Sequence, residues 1–169
     1  MLKDQLGSFE DYPLPPLAEH GLEWVVPEAA LAHPLDDGPA VIVERSLEAT
    51  ADDVLAADGY LLGTPANFGY MSGALKHFFD STFLQVGGAL GDDGSAAGGG
   101  ESGATHGRPF GLYVHGRYDT NGAVRSVLSI VQALQWRQAA EVLEVLGDVD
   151  DEHREAAYEL GGTIAALVS

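Results

Sequence analysis

The feature that most constrains the fold is residues 57–83, where the sequence pattern of a buried strand passes through a short loop into that of a helix. Residues 59–63 form an apolar run bounded by glycines, which is typical of a strand covered on both faces. From about residue 73 to residue 84, large apolar side chains recur at helical spacing, at Leu75, Phe78, Phe79 and Phe83. A strand followed by a helix with one apolar stripe is the repeating unit of an α/β protein.

The same alternation recurs on both sides of this unit. The β-branched run at residues 40–43 predicts a further strand, and Thr50 is placed to cap a short helix ending near Ala57. Four more elements are predicted, a strand at 110–114, a helix at 122–138, a strand at 142–146 and a helix at 151–168 with Ala157, Leu160, Ile164 and Leu167 on its buried stripe. This order favours a doubly wound, mostly parallel sheet with helices on both faces, a three-layer α/β/α architecture.

The chain is predicted to be one domain over residues 1–169, since its length suits a single well-packed core. Prolines at positions 13, 15 and 16 predict an irregular arm over residues 1–20. Residues 21–33 are compatible with a short strand and a helical turn, or with one irregular helix. Residues 87–108 are glycine-rich and are predicted to be an inserted mobile surface loop, either merely solvated or used in covering a site or in assembly.

The charge balance excludes several classes of partner. With 26 acidic residues against 8 Lys and Arg, the formal net charge of -18 opposes binding to nucleic acid or to an anionic membrane surface. No apolar run has the length of a membrane span, and the first residues lack the basic region of a secretion signal, so a cytoplasmic location is expected. The absence of cysteine excludes thiolate chemistry, and the six histidines lack the spacing of metal ligands.

Two loops should lie together at the edge of the sheet where parallel strands end, because ligands of such sheets bind at that edge. The first, residues 64–73, follows a buried strand and contains Pro65, Phe68, Gly69 and Tyr70. A stiff turn, a close backbone approach at Gly69 and one or two aromatic faces suit a flat aromatic ligand. In the alternative interpretation, Phe68, Tyr70 and Met71 are ordinary core residues and the loop only closes the strand.

Residues 57–80 read Ala-Asp-Gly-Tyr-Leu-Leu-Gly-Thr-Pro-Ala-Asn-Phe-Gly-Tyr-Met-Ser-Gly-Ala-Leu-Lys-His-Phe-Phe-Asp. This stretch resembles the flavodoxin-like NAD(P)H-dependent FMN reductases and quinone reductases, and a weaker resemblance runs from Arg108 to about Leu167. The resemblance implies a flavodoxin-like fold, FMN as cofactor, NAD(P)H as co-substrate and a small electron acceptor such as a quinone. It also implies that the flavin ring contacts two loops, at Thr64, Pro65, Ala66, Asn67, Phe68, Gly69 and Tyr70 in the first and His115, Gly116, Tyr118, Asp119, Thr120 and Gly122 in the second.

Within the second loop the residue types suggest different roles. Tyr118 can stack on a ring, whereas Asp119 or Thr120 can cap the helix that follows. His115 is interpreted either as a group that polarises a flavin edge or protonates a product, or as a structural hydrogen-bonding residue. Hydride transfer through a flavin requires no acid–base pair of side chains, and no catalytic residue is assigned.

The beginning of the chain departs from the family pattern. Flavodoxin-like proteins bind the FMN phosphate with a Ser/Thr-rich loop at a helix N-terminus, but Ser8 is the only serine or threonine before Ala40. The leading hypothesis is therefore an oxidoreductase that recognises FMN without this loop, with assembly as a homo-oligomer expected from the resemblance. Two alternatives share the architecture, a non-catalytic binding or scaffold protein and a phosphoacceptor receiver domain, and the residues at Thr64 and His115 fit the latter poorly.

Overall fold

The computed structural model describes residues 45–92, 96–97 and 103–169. The predicted arm at residues 1–20, the segment 21–33 and the predicted strand at 40–43 lie outside the described residues. The elements are, in order, α1 (Ala51–Ala56), β1 (Tyr60–Pro65), α2 (Gly73–Thr82), β2 (Ala89–Leu90), β3 (Ala96–Ala97), β4 (Pro109–Gly116), α3 (Asn121–Ala133), β5 (Arg137–Gln138), β6 (Leu143–Leu146) and α4 (Asp151–Val168).

The principal sheet is parallel throughout its described part. Strand β1 pairs with β4 along the whole length of β1, in a register that runs from Tyr60 opposite Phe110 to Pro65 opposite His115. On its other side β4 pairs with β5 at its beginning and with β6 at its end, again in parallel. The carboxyl ends of β1, β4 and β6 therefore meet at one edge of the sheet, as the sequence predicts.

The two faces of the sheet are covered by different helices. Leu62, Leu112 and Val114 are buried on one face, in a cluster that includes Phe78 of α2 and Val127 of α3. The alternate residues face α4, and a side chain on Gly111 would come within 3.0 Å of Leu160 in that helix. Helices on both faces of a parallel sheet confirm the predicted α/β architecture.

Helix α3 ends at Ala133, so the prediction that it continues to residue 138 is wrong. Gln135 adopts a positive φ of 58°, which stops the helix. Trp136 then stacks on Tyr60 with a ring-centroid distance of 4.0 Å, and its indole nitrogen donates to the Thr105 hydroxyl at 2.8 Å. Tertiary packing of Trp136 thus interrupts a sequence whose apolar spacing suits a longer helix.

Residues 87–108 were predicted to lack regular structure, and this is wrong for two short strands. Strands β2 and β3 pair in antiparallel fashion, with Ala89 opposite Ala97. The two ends of the insertion also meet, because a Cβ on Gly87 would lie 2.9 Å from the Cα of Gly103. Thr105 fastens this junction by donating to the Val86 carbonyl at 2.8 Å.

Helix α4 follows its predicted bounds closely, and Asp150 caps it by accepting from the His153 amide at 3.0 Å. Ala157, Leu160 and Ile164 are buried as predicted, whereas Leu167 is 44% exposed, so its place in the buried stripe is wrong. No helix in the described part of the chain is long and apolar enough to cross a membrane.

Candidate functional site

The register of the sheet places the two predicted loops side by side. Pro65 and His115 are opposite each other at the ends of β1 and β4. The Ala66 amide donates to the His115 carbonyl at 2.7 Å, which continues the strand pairing into the loops. The loop after β1 (residues 66–72, loop A) and the loop after β4 (residues 117–120, loop B) therefore start from a fixed common base.

Internal hydrogen bonds hold loop A in shape. The Thr64 hydroxyl is buried, accepts from the Ser72 amide at 3.1 Å and donates to the Pro65 carbonyl at 3.0 Å. Ser72 caps α2 by accepting from the Leu75 amide at 3.1 Å. Met71 is buried, as in the core interpretation of this loop. Thr64, Met71 and Ser72 thus stabilise the loop from within, and its tip is left to form an outer surface.

The tip of loop A is a tight turn that exposes aromatic side chains. The Tyr70 amide donates to the Asn67 carbonyl at 3.0 Å, and Phe68 and Gly69 both have positive φ, 52° and 74°. These values are those of a type I′ turn, which glycine adopts readily and phenylalanine only with strain. Phe68 is fully exposed and Tyr70 is 47% exposed. The interpretation of these two residues as core is therefore wrong.

Loop B exposes Tyr118, whose side chain is 90% accessible to solvent. Asp119 caps α3, because its carboxylate accepts from the Asn121 amide at 3.0 Å and from the Asn121 side chain at 2.7 Å. Thr120, the other candidate cap, is buried and donates instead to the Glu144 carboxylate at 2.5 Å. The structure thus assigns the capping role to Asp119 and gives Thr120 the role of joining α3 to β6.

Three glycines allow the two loops to touch. A Cβ on Gly122 would overlap the carbonyl oxygen of Gly69. One on Gly69 would lie 3.1 Å from the Asp119 carboxylate, and one on Gly116 would lie 3.1 Å from the Ala66 side chain. The backbones therefore approach more closely than side chains at these positions allow.

A third loop, residues 147–150 after β6 (loop C), also belongs to this edge. The Gly147 amide donates to the Gly116 carbonyl at 2.9 Å, and His115 Nε2 lies 2.6 Å from the Gly147 carbonyl oxygen. Because a carbonyl oxygen only accepts, Nε2 carries the proton. His115 is buried, and this bond makes it a positioning residue that holds loop C against loop B.

No site residue was predicted in loop C. Its signal was present, because Gly147 follows a strand, and every strand of a parallel sheet that leads into a helix ends at the ligand-binding edge. Gly147 has a positive φ of 80°, which allows the chain to turn directly from β6 toward Asp150 and α4.

The edge is strongly acidic. Asp119, Glu144, Asp148 and Asp150 lie on it, whereas Arg117 is the single Lys or Arg among the residues of loops A, B and C. Arg117 pairs with Asp148 at 3.5 Å in an exposed position. The hydrogen bond from the His153 amide lowers the pKa of Asp150, so this carboxylate stays charged in mildly acidic solution.

Loops A and B combine exposed aromatic side chains with a close contact between glycine backbones. Phe68 and Tyr70 stand on loop A and Tyr118 on loop B, while Gly69 and Gly122 bring the two loops together. A flat aromatic ring fits such a surface, because ring faces stack on aromatic side chains and backbone groups can approach its polar rim. In the part of the chain that the structure describes, no group of three or more His, Asp or Glu is arranged to hold a metal.

A family model for the NADPH-dependent FMN reductases matches residues 15–148. A flavodoxin of Aquifex aeolicus (strain VF5) is 39% identical over 61 residues, which are 36% of this chain and 32% of that protein. The chain thus matches about one third of the length of this curated relative.

Solved structures with a similar fold include two flavodoxins. The flavodoxin of Streptococcus pneumoniae TIGR4 has 18% identity and a TM-score of 0.60, covering 85% of this chain and 89% of its own. A flavodoxin from the domain Archaea has 14% identity and a TM-score of 0.56, covering 73% of each chain. These similarities confirm the predicted flavodoxin-like fold.

Proposed function

The chain belongs to the NADPH-dependent FMN reductase family, and from this premise we propose that it is an FMN-binding, NAD(P)H-dependent oxidoreductase. It transfers a hydride through the bound flavin to a small acceptor, such as a quinone or a free flavin. The observation that carries the proposal is the joined pair of loops A and B, with Phe68 and Tyr70 on one and Tyr118 on the other. These residues form a surface for a flat ring at the ligand-binding edge of the sheet.

The protein's own contribution is to position the ring and to shape its surroundings. FMN, when bound, supplies the chemistry of accepting a hydride and passing it on. Phe68, Tyr70 and Tyr118 offer stacking surfaces, and the backbones of Gly69 and Gly122 are in contact where the two loops meet. His115 donates its Nε2 proton in a hydrogen bond to the Gly147 carbonyl. It therefore acts by fixing loop C and not by donating that proton to a substrate.

The phosphate of FMN is the weak point of the site. The segment before Ala40 lacks the serine- and threonine-rich loop that normally binds this phosphate. Each charge-assisted hydrogen bond to a phosphate contributes about 1.5–3 kcal/mol, so losing several of them reduces affinity by orders of magnitude. We therefore propose that FMN binds reversibly through its ring and leaves during purification.

FMN titration and turnover test the proposal together. Purified protein is mixed with increasing FMN, and quenching of flavin fluorescence reports binding. Oxidation of NADPH and of NADH is then followed with a quinone acceptor at saturating FMN. The proposal requires quenching and acceptor-dependent oxidation, both weakened in Tyr118→Ala and unchanged in Leu84→Ala, which removes an exposed apolar side chain outside the site.

The opposite result identifies the competing function. If FMN keeps its full fluorescence at saturating concentrations of protein, the chain is a non-catalytic flavodoxin-like binding or scaffold protein. The location in the cytoplasm, the single-domain organisation and assembly as a homo-oligomer remain predictions, each open to direct measurement.

A further inference from the structure

We propose that Arg117 binds a phosphate group of the nicotinamide dinucleotide co-substrate, exchanging its ion pair with Asp148 for that phosphate. The proposal rests on the proposed function, since it names how the same site takes up its anionic reductant. It makes Arg117 a binding residue of the co-substrate site.

Net charge creates the need for such a residue. A chain with a formal charge of -18 repels a dinucleotide, which carries at least a pyrophosphate, and a local cation is required to offset this repulsion. Arg117 is the single Lys or Arg of loops A, B and C. Among the other cations of the described residues, Arg108 and Arg137 lie at the opposite edge, where β4 and β5 begin. Arg45, Lys76 and Arg154 pair with acids three or four residues away, and Arg125 lies within α3, beyond loop B.

The environment of Arg117 suits an exchange of partners. Its side chain is 56% exposed, and the side chain of Asp148, at 3.5 Å, is 96% exposed. An ion pair this open contributes little, because water and salt screen it. A phosphate offers more charge and a pair of oxygens that match the guanidinium fork, so it can displace the carboxylate.

Position separates the dinucleotide from FMN as the source of this phosphate. Arg117 pairs with loop C, on the β6 side of β4, whereas loop A lies on the β1 side. Tyr118, the adjacent residue in loop B, is 90% exposed and offers its ring beside the charge of Arg117. A phosphate on Arg117 would thus lie on the β6 side of β4, away from loop A, which favours the co-substrate over FMN as its source.

Three variants test the proposal by steady-state kinetics with NADPH. Arg117→Gln should raise KM about tenfold with kcat unchanged, the size expected for one lost charge-assisted bond. Asp148→Asn should lower KM by up to about threefold, because it removes the competing carboxylate. Arg137→Gln is the matched control, an exposed arginine at the opposite edge of the sheet, and should leave KM unchanged.

Binding measurements distinguish the two phosphate sources. They also distinguish failure of this proposal from failure of the proposed function. NADP⁺, FMN and riboflavin are titrated calorimetrically into wild type and Arg117→Gln. Weaker NADP⁺ binding with unchanged FMN binding supports the proposal, even if the wild type oxidises no NADPH and the proposed function fails. Weaker FMN binding with unchanged riboflavin binding overturns it and assigns Arg117 to the flavin phosphate. Equal NADP⁺ affinity of the two proteins, or no NADP⁺ binding by either, also overturns it.

Discussion

Gly122, in the first turn of α3, packs so closely against Gly69 that a Cβ at position 122 would overlap the carbonyl oxygen of Gly69. The contact joins the tip of loop A to the helix that follows loop B. Both partners are backbone atoms, so neither can move aside as a flexible side chain does. The absence of a side chain at this position therefore allows the two ring-binding loops to lie this close.

Gly122→Ala is expected to separate loops A and B. Overpacking against a backbone carbonyl should lower the free energy of unfolding by about 1–3 kcal/mol and weaken FMN binding. Gly162→Ala is the control, because a Cβ at this exposed position in α4 meets nothing within 4 Å. Alanine there should raise the free energy of unfolding by about 0.5–1 kcal/mol and leave FMN binding unchanged. Denaturant unfolding and FMN fluorescence measure both effects, and equal FMN affinity in the two variants would contradict the role given to Gly122.

Phe68 combines backbone strain with full exposure, so its replacement should change stability and binding in opposite directions. Its positive φ of 52° costs about 1–2 kcal/mol for a residue with a Cβ. Phe68→Gly should therefore raise the free energy of unfolding by about 1 kcal/mol and weaken FMN binding about three- to tenfold through the lost stacking. Phe68→Asn should also weaken FMN binding, and it should raise the free energy of unfolding by less than Phe68→Gly does, since asparagine tolerates this conformation. A variant that is more stable and binds FMN like the wild type would exclude Phe68 from the ring site.

The sequence predicted elements whose signal is local and missed those decided by distant contacts. The strand and helix of residues 57–83 were correct because burial pattern and helical spacing change within the segment itself. The end of α3 was predicted wrongly, because Trp136 leaves the helix to stack on Tyr60, a residue far away in the sequence. The pairing of β2 with β3 was likewise not predicted, since a segment rich in glycine and alanine shows neither the apolar pattern of a strand nor that of a helix.

The same division applies to the candidate site. Loops A and B were placed together correctly because parallel strands end at one edge, and this follows from the order of elements alone. The roles of individual side chains did not follow, because they depend on partners from other strands. Thr120 turns to Glu144 and leaves capping to Asp119, and His115 reaches the Gly147 carbonyl, a contact that only the pairing of β4 with β6 brings within range.

Arg108 should be a principal stabilising residue at the edge opposite the site. Its guanidinium donates to the carbonyl oxygens at the end of α1, including Val54 at 2.8 Å and Leu55 at 3.0 Å, and to the Tyr60 hydroxyl at 3.1 Å. Arg108→Gln should lower the free energy of unfolding by about 2–4 kcal/mol, because buried carbonyl groups lose a charged donor. Arg108→Lys should restore only part of this, since an ammonium keeps a charged donor near these carbonyl groups but does not reproduce the position of Nη1, from which the contacts are made.

Denaturant unfolding of these two variants measures the loss. Arg137→Gln serves as the control, because Arg137 is exposed at the same edge and should contribute little. A free energy of unfolding for Arg108→Gln within about 0.5 kcal/mol of the wild type, the range of ordinary surface substitutions, would show that water replaces the guanidinium at no cost.

Tyr60 should make the fold sensitive to alkaline pH. Burial raises the pKa of its hydroxyl above the ordinary value of 10.0, an effect that the Arg108 hydrogen bond and charge partly oppose. Because the folded state holds this proton more tightly, its stabilisation is complete below pH 10 and is lost as pH rises through the folded-state pKa. The free energy of unfolding of the wild type should therefore fall above about pH 10, by at most about 1.4 kcal/mol per pH unit from this group.

Tyr60→Phe should lower the free energy of unfolding by about 1 kcal/mol at neutral pH, through the lost bond to the Val54 carbonyl. The free energy of unfolding of this variant should then decline less steeply than that of the wild type at high pH. Urea unfolding of both proteins between neutral pH and pH 11 gives the two curves, and parallel curves throughout would show that Tyr60 keeps an ordinary pKa in the folded state.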